Sequence, residues 1–232
     1  MEYTIKVGKD PAYKESYYNK QRKEIFSLIP ESAKRILDVG CGEGVFGGDI
    51  KKNMEVEIWG IERNEVACVR AADKLDKVLC GDVADIVKEL PERYFDCIVF
   101  NDVLEHLTDP QDILLRIKGK LNSRGVVICS VPNIRYFYVL RDLLINKDWK
   151  YVDDGILDRT HRWFFAKKNM EEMFKNTGYD LIREKGINPT GSMKIKLLNI
   201  ILFGFLSDTI YMQYAFILKP MKNQIKIEVI EK

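Results

Sequence analysis

The stretch Arg35-Ile36-Leu37-Asp38-Val39-Gly40-Cys41-Gly42-Glu43-Gly44-Val45-Phe46-Gly47 constrains this chain more than any other. An apolar, β-prone run ends in an acid, passes through glycines at 40, 42 and 44, and re-emerges as a segment able to start a helix. The pattern predicts strand, tight turn and helix. Without Cβ atoms the turn accepts positive φ and lets the backbone lie against a small molecule, while the helix start offers N–H groups. A dinucleotide fingerprint spaces its glycines G-x-G-x-x-G and rests a pyrophosphate there. Here the spacing is G-x-G-x-G and Asp38 precedes it. That carboxylate repels a pyrophosphate and suits an ammonium or sulfonium group, and the missing spacing argues against a nicotinamide-dependent dehydrogenase.

The next segments repeat the strand-and-helix alternation. Residues 45–53 read as a helix, and 56–62 as a second strand ending in Glu62, 22 residues past Gly40. An acid at that offset, at the tip of the second strand of a βαβ unit, meets a ribose; a solvated strand-end carboxylate is the plainer alternative. Asn64 is placed to cap a helix with Val66, Val69 and Ala72 on one face. Residues 77–80 form a short third strand ahead of Gly81-Asp82-Val83, where Asp82 can cap a helix. Residues 95–100 read as a central fourth strand running into Asn101-Asp102-Val103-Leu104-Glu105-His106-Leu107. Asp109 and Pro110 then open a helix carrying Ile113, Leu114, Ile117 and Leu121.

A fifth strand over 125–131 is stopped by Pro132 and Asn133, and the segment after it carries a helical run, 135–146, and an aromatic-rich stretch to 165. Its aromatic content predicts an ordered cap at the ligand end. Met170, Met173 and Phe174 fall at helical spacing, Gly178 caps that helix, and 179–187 begins a sixth strand. Residues 194–206 are apolar nearly all round, so that helix needs cover: the core of the cap, a dimer contact or a membrane surface, for it is too short to span. Residues 211–218 form the last strand, and 225–229 alternate like an edge strand. Ahead of the first strand, 12–29 form an amphipathic helix ended by Pro30, which packs on the sheet edge or lays Tyr17 or Tyr18 over the ligand.

Composition narrows the function classes. The 232 residues, 46% of them hydrophobic, suffice for one domain with a full core. With 37 basic and 35 acidic residues the net charge is +2, which gives no field for bulk nucleic acid. No secretory h-region opens the chain and no apolar run reaches spanning length, so a cytoplasmic location without a transmembrane segment is expected. Five cysteines without a C-x-x-C pair read as reduced structural thiols, and two histidines argue against a metal site.

Taken together, Leu37-Asp38-Val39-Gly40-Cys41-Gly42-Glu43-Gly44 resembles motif I of the class I S-adenosylmethionine-dependent methyltransferases, and the segment from Phe95 through Asn101 and the following helix resembles their motif IV. Residues 110–133 and 155–165 are similar to a subgroup resembling the quinone O-methyltransferases and the methyltransferases of surface-sugar and secondary metabolism. The resemblance implies a Rossmann-like α/β fold: a seven-stranded, mostly parallel sheet of order 3-2-1-4-5-7-6, last strand antiparallel, with helices on both faces. One methyltransferase domain is expected over 1–232, with an N-terminal helix in 1–30, a cap insertion at 134–165 after strand 5 and an apolar helical insertion at 188–210.

The resemblance also implies S-adenosyl-L-methionine as cofactor. Asp38, Gly40, Cys41, Gly42, Gly44, Glu62, Arg63, Asp82, Val83, Asn101 and Asp102 are the expected cofactor-binding residues, Asp82 taking the adenine amine and the Val83 N–H meeting the ring. The implied reaction is in-line methyl transfer to a small-molecule acceptor, as O-methylation, with 101–106 facing the methyl group. An O–H or N–H acceptor needs a base, and His161 and His106 are the candidates. Their plainer roles are a bond to the backbone of its own loop for His106 and pinning the insertion for His161. Tyr17, Tyr18, Arg159 and Arg162 are candidate substrate contacts, the arginines for a carboxylate or phosphate. A cofactor-binding regulatory or inactive partner is the alternative function. The acceptor, the oligomeric state and contact with a membrane surface stay open.

Overall fold

The computed structural model describes residues 22–221. Its seven strands are β1 (Arg35–Val39), β2 (Glu57–Glu62), β3 (Lys77–Cys80), β4 (Phe95–Asn101), β5 (Leu121–Pro132), β6 (Tyr179–Pro189) and β7 (Tyr211–Pro220). They form one sheet in the order β3-β2-β1-β4-β5-β7-β6, parallel from β3 to β5, with β7 antiparallel to both β5 and β6. Strand order and the antiparallel last strand agree with expectation. The helices are α1 (Lys23–Phe26), α2 (Val45–Lys51), α3 (Glu65–Ala72), α4 (Val83–Ile86), α5 (Pro110–Ile117), α6 (Phe137–Leu144), α7 (Lys167–Asn176) and α8 (Met193–Ile201).

The central strands are apolar on both faces because helices cover both. Successive side chains alternate between faces. Leu37, Val39, Ile98, Phe100, Val127, Cys129 and Phe216 join a core with Ile113, Leu114 and Ile117 of α5 and Met170 and Phe174 of α7. Ile36, Cys97, Val99, Ile128 and Ala215 join the opposite core with Phe46 and Ile50 of α2 and Ala71 of α3. Parallel register places Val39 beside both Ile61 and Phe100. The loops after β1, β2 and β4 therefore leave the same end of the sheet, where the strand order reverses.

Several expectations need correction. Cys68 of α3 and Cys80 at the end of β3 form a disulfide, with Cα atoms 5.9 Å apart. They lie 12 residues apart in sequence, a spacing that only the β2–α3–β3 crossover brings together; Cys41, Cys97 and Cys129 are the buried free thiols. The buried stripe of α3 is Ala67, Cys68 and Ala71, while Val69 faces outward; the helix packs closely on the glycine turn, with Ala71 Cα 3.1 Å from where a Cβ on Gly44 would stand, and that approach takes the face of small residues. Strand β5 begins at Leu121, its ladder with β4 shifting register between Phe95 and Cys97.

Helix α8 stops at Ile201, and of its side chains only Ile195 is buried. Leu197, Ile200, Ile201 and, beyond it, Phe203 and Phe205 stand exposed, so the cap core does not cover them. The N-terminal helix is seen only as α1, ending ahead of Pro30; Tyr17, Tyr18 and the 225–229 stretch lie outside the described residues. No helix among the described residues is long and apolar enough to cross a membrane.

Candidate active site

The loop after β1 is shaped by backbone geometry. Gly40 has φ +72°, and a Cβ there would come within 2.5 Å of Val103 Cγ2. Only glycine allows this turn and the approach of the β4 loop together. Gly44, also at φ +72°, starts α2 in the left-handed region against the Ala71 backbone. The N–H groups of Gly40 and Cys41 donate to the Ile61 carbonyl at 2.7 and 3.0 Å, tying the turn to the tip of β2.

Two acids face that turn. Glu62 accepts from the backbone N–H groups of Gly42 at 3.0 Å and of Arg63 and Asn64, both at 2.8 Å. A carboxylate offers about four acceptor sites, so a ribose hydroxyl still finds one. Asp38 is 2% exposed, and its Oδ1 has no hydrogen-bond partner among the described residues. Burial, and Glu62 beside it, push the Asp38 carboxyl up to about 8. Asp82 caps α4 by accepting from Ala84 N at 2.9 Å, and it lines the same pocket with Val83, Arg63 and Cys41.

The pocket, about 1070 Å³, continues from this turn past Asn101 to the β4 loop and the 153–162 segment. Both amide atoms of Asn101 are buried without a partner among the described residues. Asp102, at φ +54°, is a structural hub as well as a lining residue. It pairs with Arg22 and accepts from Ser130 Oγ at 2.8 Å and Gln213 Nε2 at 2.9 Å.

Beyond Asp102 the β4 loop meets the segment that follows α6. Backbone N–H groups of Arg162 and Trp163 donate to the Glu105 carbonyl at 2.8 and 3.1 Å, and Trp163 Nε1 donates to the Leu107 carbonyl at 2.9 Å. Rings of Trp149 and Phe164 pack edge to face, 5.5 Å between centroids. It brings His161 against His106, ring centroids 4.7 Å apart, with His161 Nε2 4.0 Å from Glu105 Oε1.

Glu105 is 1% exposed. Neither of its carboxylate oxygens has a hydrogen-bond partner among the described residues, and burial pushes its carboxyl up to about 8. The imidazoles are oriented from behind. His161 Nδ1 lies 3.0 Å from the Ile156 carbonyl, an acceptor only, so that nitrogen carries the proton. Thr160 Oγ1 donates to Asp158 at 2.7 Å and lies 3.2 Å from His106 Nδ1, which lies 3.4 Å from the Thr160 carbonyl. His106 Nδ1–H is therefore the donor too, and burial with His161 nearby holds that imidazole down to about 4, neutral at ordinary pH. His106 thus bonds the facing segment rather than its own loop, and His161 bonds within its own segment.

Arg159 pairs with Asp153 at 2.8 Å, and both it and Arg162 line the pocket on exposed side chains. Sequence reasoning missed Glu105, Arg22 and Asp158. Glu105 was in view inside the loop after β4, but an acid in a polar loop gives no sign of burial until the facing segment is placed.

A mostly parallel sheet with this order, a glycine turn beside two acids and a pocket across the strand-order reversal define a nucleoside-binding α/β protein of the class I S-adenosylmethionine-dependent methyltransferase type. A family model for a methyltransferase domain matches residues 12–184, and the chain belongs to that family. S-adenosyl-L-methionine is its cofactor.

A ubiquinone biosynthesis O-methyltransferase of Neisseria meningitidis is 29% identical over 167 residues, 66% of this chain and 67% of that protein. A probable S-adenosylmethionine-dependent methyltransferase of Mycolicibacterium smegmatis is 28% identical over 136 residues, 57% of this chain and 52% of that protein. The match thus spans about half the length of the mycobacterial relative. Among solved structures, a SAM-dependent methyltransferase from Archaeoglobus fulgidus superposes with a TM-score of 0.62 at 21% identity, over 84% of this chain and 91% of that one, a likeness of fold. The residues present fit the cofactor, since a buried carboxylate with an unpartnered oxygen suits its cationic groups and the Gly40 turn leaves no room for a side chain.

Proposed function

We propose that this chain methylates an oxygen of a small-molecule acceptor. The observation that carries the proposal is one continuous pocket lined by two buried acids, Asp38 at the glycine turn with one unpartnered oxygen and Glu105 against two histidines with both oxygens unpartnered among the described residues. When bound, the cofactor supplies a methyl carbon made electrophilic by a sulfonium.

In this proposal Asp38 pairs with a cationic group of the cofactor, Glu62 accepts from its ribose, and Asp82 with the Val83 N–H meets its adenine. Gly40, Cys41, Gly42 and Gly44 let the backbone close against it, with Arg63, Asn101 and Asp102 completing the wall. The acceptor lies towards Glu105, His106 and His161, beneath a cap formed by 134–165, with Arg159 and Arg162 at its rim. An acceptor hydroxyl gives its proton to an imidazole Nε2 as its oxygen bonds the methyl carbon. Loss of that methyl group leaves the cofactor a neutral thioether, which balances the transfer. The chain's main contribution is alignment and exclusion of water. The ubiquinone enzyme among its relatives favours a hydroxylated acceptor.

The test is calorimetric titration with S-adenosylhomocysteine of the wild-type chain and of Asp38→Ala and Glu62→Ala, followed by a screen of hydroxylated aromatic acceptors with labelled cofactor. Binding that both substitutions abolish, and label appearing in a methyl ether, supports the proposal. A chain that binds but labels nothing would be the regulatory or inactive partner instead.

A further inference from the structure

We propose that Glu105, His106 and His161 bind a divalent transition-metal ion at the acceptor end of the pocket. One ligand atom from each lies within 4.8 Å of the others. A cluster alone would not carry this, but the Glu105 carboxylate supplies an independent sign: it is 1% exposed, lines the pocket, and both its oxygens lack hydrogen-bond partners among the described residues. A buried carboxylate without donors is expensive unless a cation meets it.

The surroundings of the histidines point the same way. Metal-binding imidazoles use one nitrogen for the ion and give the other N–H to a carbonyl, hydroxyl or carboxylate that fixes the ring. His161 Nδ1–H donates to the Ile156 carbonyl at 3.0 Å. His106 Nδ1–H faces Thr160, whose own hydroxyl is held by the buried Asp158. Both Nε2 atoms then carry lone pairs, and that of His161 is 4.0 Å from Glu105 Oε1. Metal–ligand bonds of about 2.1 Å at tetrahedral angles hold two donors on one ion about 3.4 Å apart. From separations within 4.8 Å, the three side chains thus need to close by up to about 1.4 Å to share an ion.

Two imidazoles and one carboxylate suit zinc, manganese, cobalt or iron better than calcium or magnesium. Three protein ligands leave at least one position for an acceptor oxygen. The count of histidines argued against a metal because it left Glu105 out. This inference rests on the proposed placement of the acceptor and changes one step of that reading: with both Nε2 atoms on the ion, the ion would seat the hydroxyl and lower its pKa, and the proton would pass to solvent water instead of to an imidazole.

The experiment uses the full chain, stripped with a chelator and titrated with Co2+ while its visible absorption is followed. One equivalent should bind with nitrogen-ligand bands. Glu105→Gln and His161→Asn should each weaken it by about tenfold or more, while S-adenosylhomocysteine binding, read on the same samples, stays within about threefold. Retained S-adenosylhomocysteine binding shows that the variants are folded. Wild-type chain that binds S-adenosylhomocysteine but no Co2+, Zn2+ or Mn2+, or Co2+ binding untouched by both substitutions, overturns the metal site. Loss of O-methyl product with Co2+ binding intact would overturn the proposed reaction instead and leave the site standing.

Discussion

Glu62 and Glu105 are both nearly buried carboxylates, at opposite ends of one pocket, and their surroundings could hardly differ more. Glu62 accepts three backbone N–H groups, all from residues in the turn after β1 or directly after itself. Glu105 accepts none that the described residues offer, and its neighbours come from far along the chain, His161 and Arg162 among them. The first end is made of main chain and needs little beyond glycines and strand tips. The second is assembled from side chains by tertiary packing. A rigid backbone cradle suits a shared cofactor, and a side-chain cluster under a separate segment suits an acceptor that differs from protein to protein.

The contrast breaks most directly at Glu105. Glu105→Gln keeps the shape and removes the charge, and turnover should fall by about 10²-fold or more, while the affinity for S-adenosylhomocysteine moves less than about threefold. Paired rate and calorimetric measurements on one preparation check this. If cofactor affinity falls in step with turnover, the two ends are not independent. At the other end, Asp38→Ala truncates one partner of a buried charge pair, a loss of about 2–5 kcal/mol. S-adenosylhomocysteine binding should weaken by about 30-fold or more, with α-helical circular dichroism unchanged. Glu62→Gln is expected to do less. It weakens charge-assisted bonds worth about 1.5–3 kcal/mol, so affinity should drop about tenfold and thermal stability should fall with it, because those bonds also hold the turn.

The same contrast explains how much of the molecule could be read from its sequence. The turn from Asp38 to Gly44, Glu62 at the tip of β2 and the Asp109 cap of α5 are local patterns, and the structure repeats them. Sheet order followed from the family resemblance that those patterns carried. Features decided by distant packing were not legible. The Cys68–Cys80 disulfide needs the crossover to be folded. The stripe of α3 turns on its close packing against the Gly44 turn. Of the three covers that apolarity left open for α8, the cap core is not the one, since Leu197, Ile200 and Phe203 are exposed. Glu105 stood only as one residue of the loop after β4, and its burial depends on Arg162 and Trp163 closing on its carbonyl.

The smallest expected effect, and the sharpest comparison of the two ends, lies in pH. Burial raises both Asp38 and Glu105 to about 8 in the folded chain, against about 4 in an unfolded one. A raised folded value means that the folded state binds more protons than the unfolded state in that window. Stability of the ligand-free, metal-free chain is then fullest below about pH 4 as far as these two groups go, and is lost as pH rises through about 8. Asp38→Asn and Glu105→Gln should each flatten the fall in melting temperature between about pH 4 and 8.

Cofactor binding separates them. A cationic group needs the Asp38 carboxylate ionised, so below about pH 8 binding releases a proton, and affinity rises by up to about tenfold per pH unit before levelling off. Calorimetry in buffers of different ionisation heat reads that proton directly. Asp38→Asn should abolish the release and Glu105→Gln should leave it unchanged. A proton released in the Asp38 variant but not in the Glu105 variant would mean that the acid sensing the cofactor sits at the other end of the pocket.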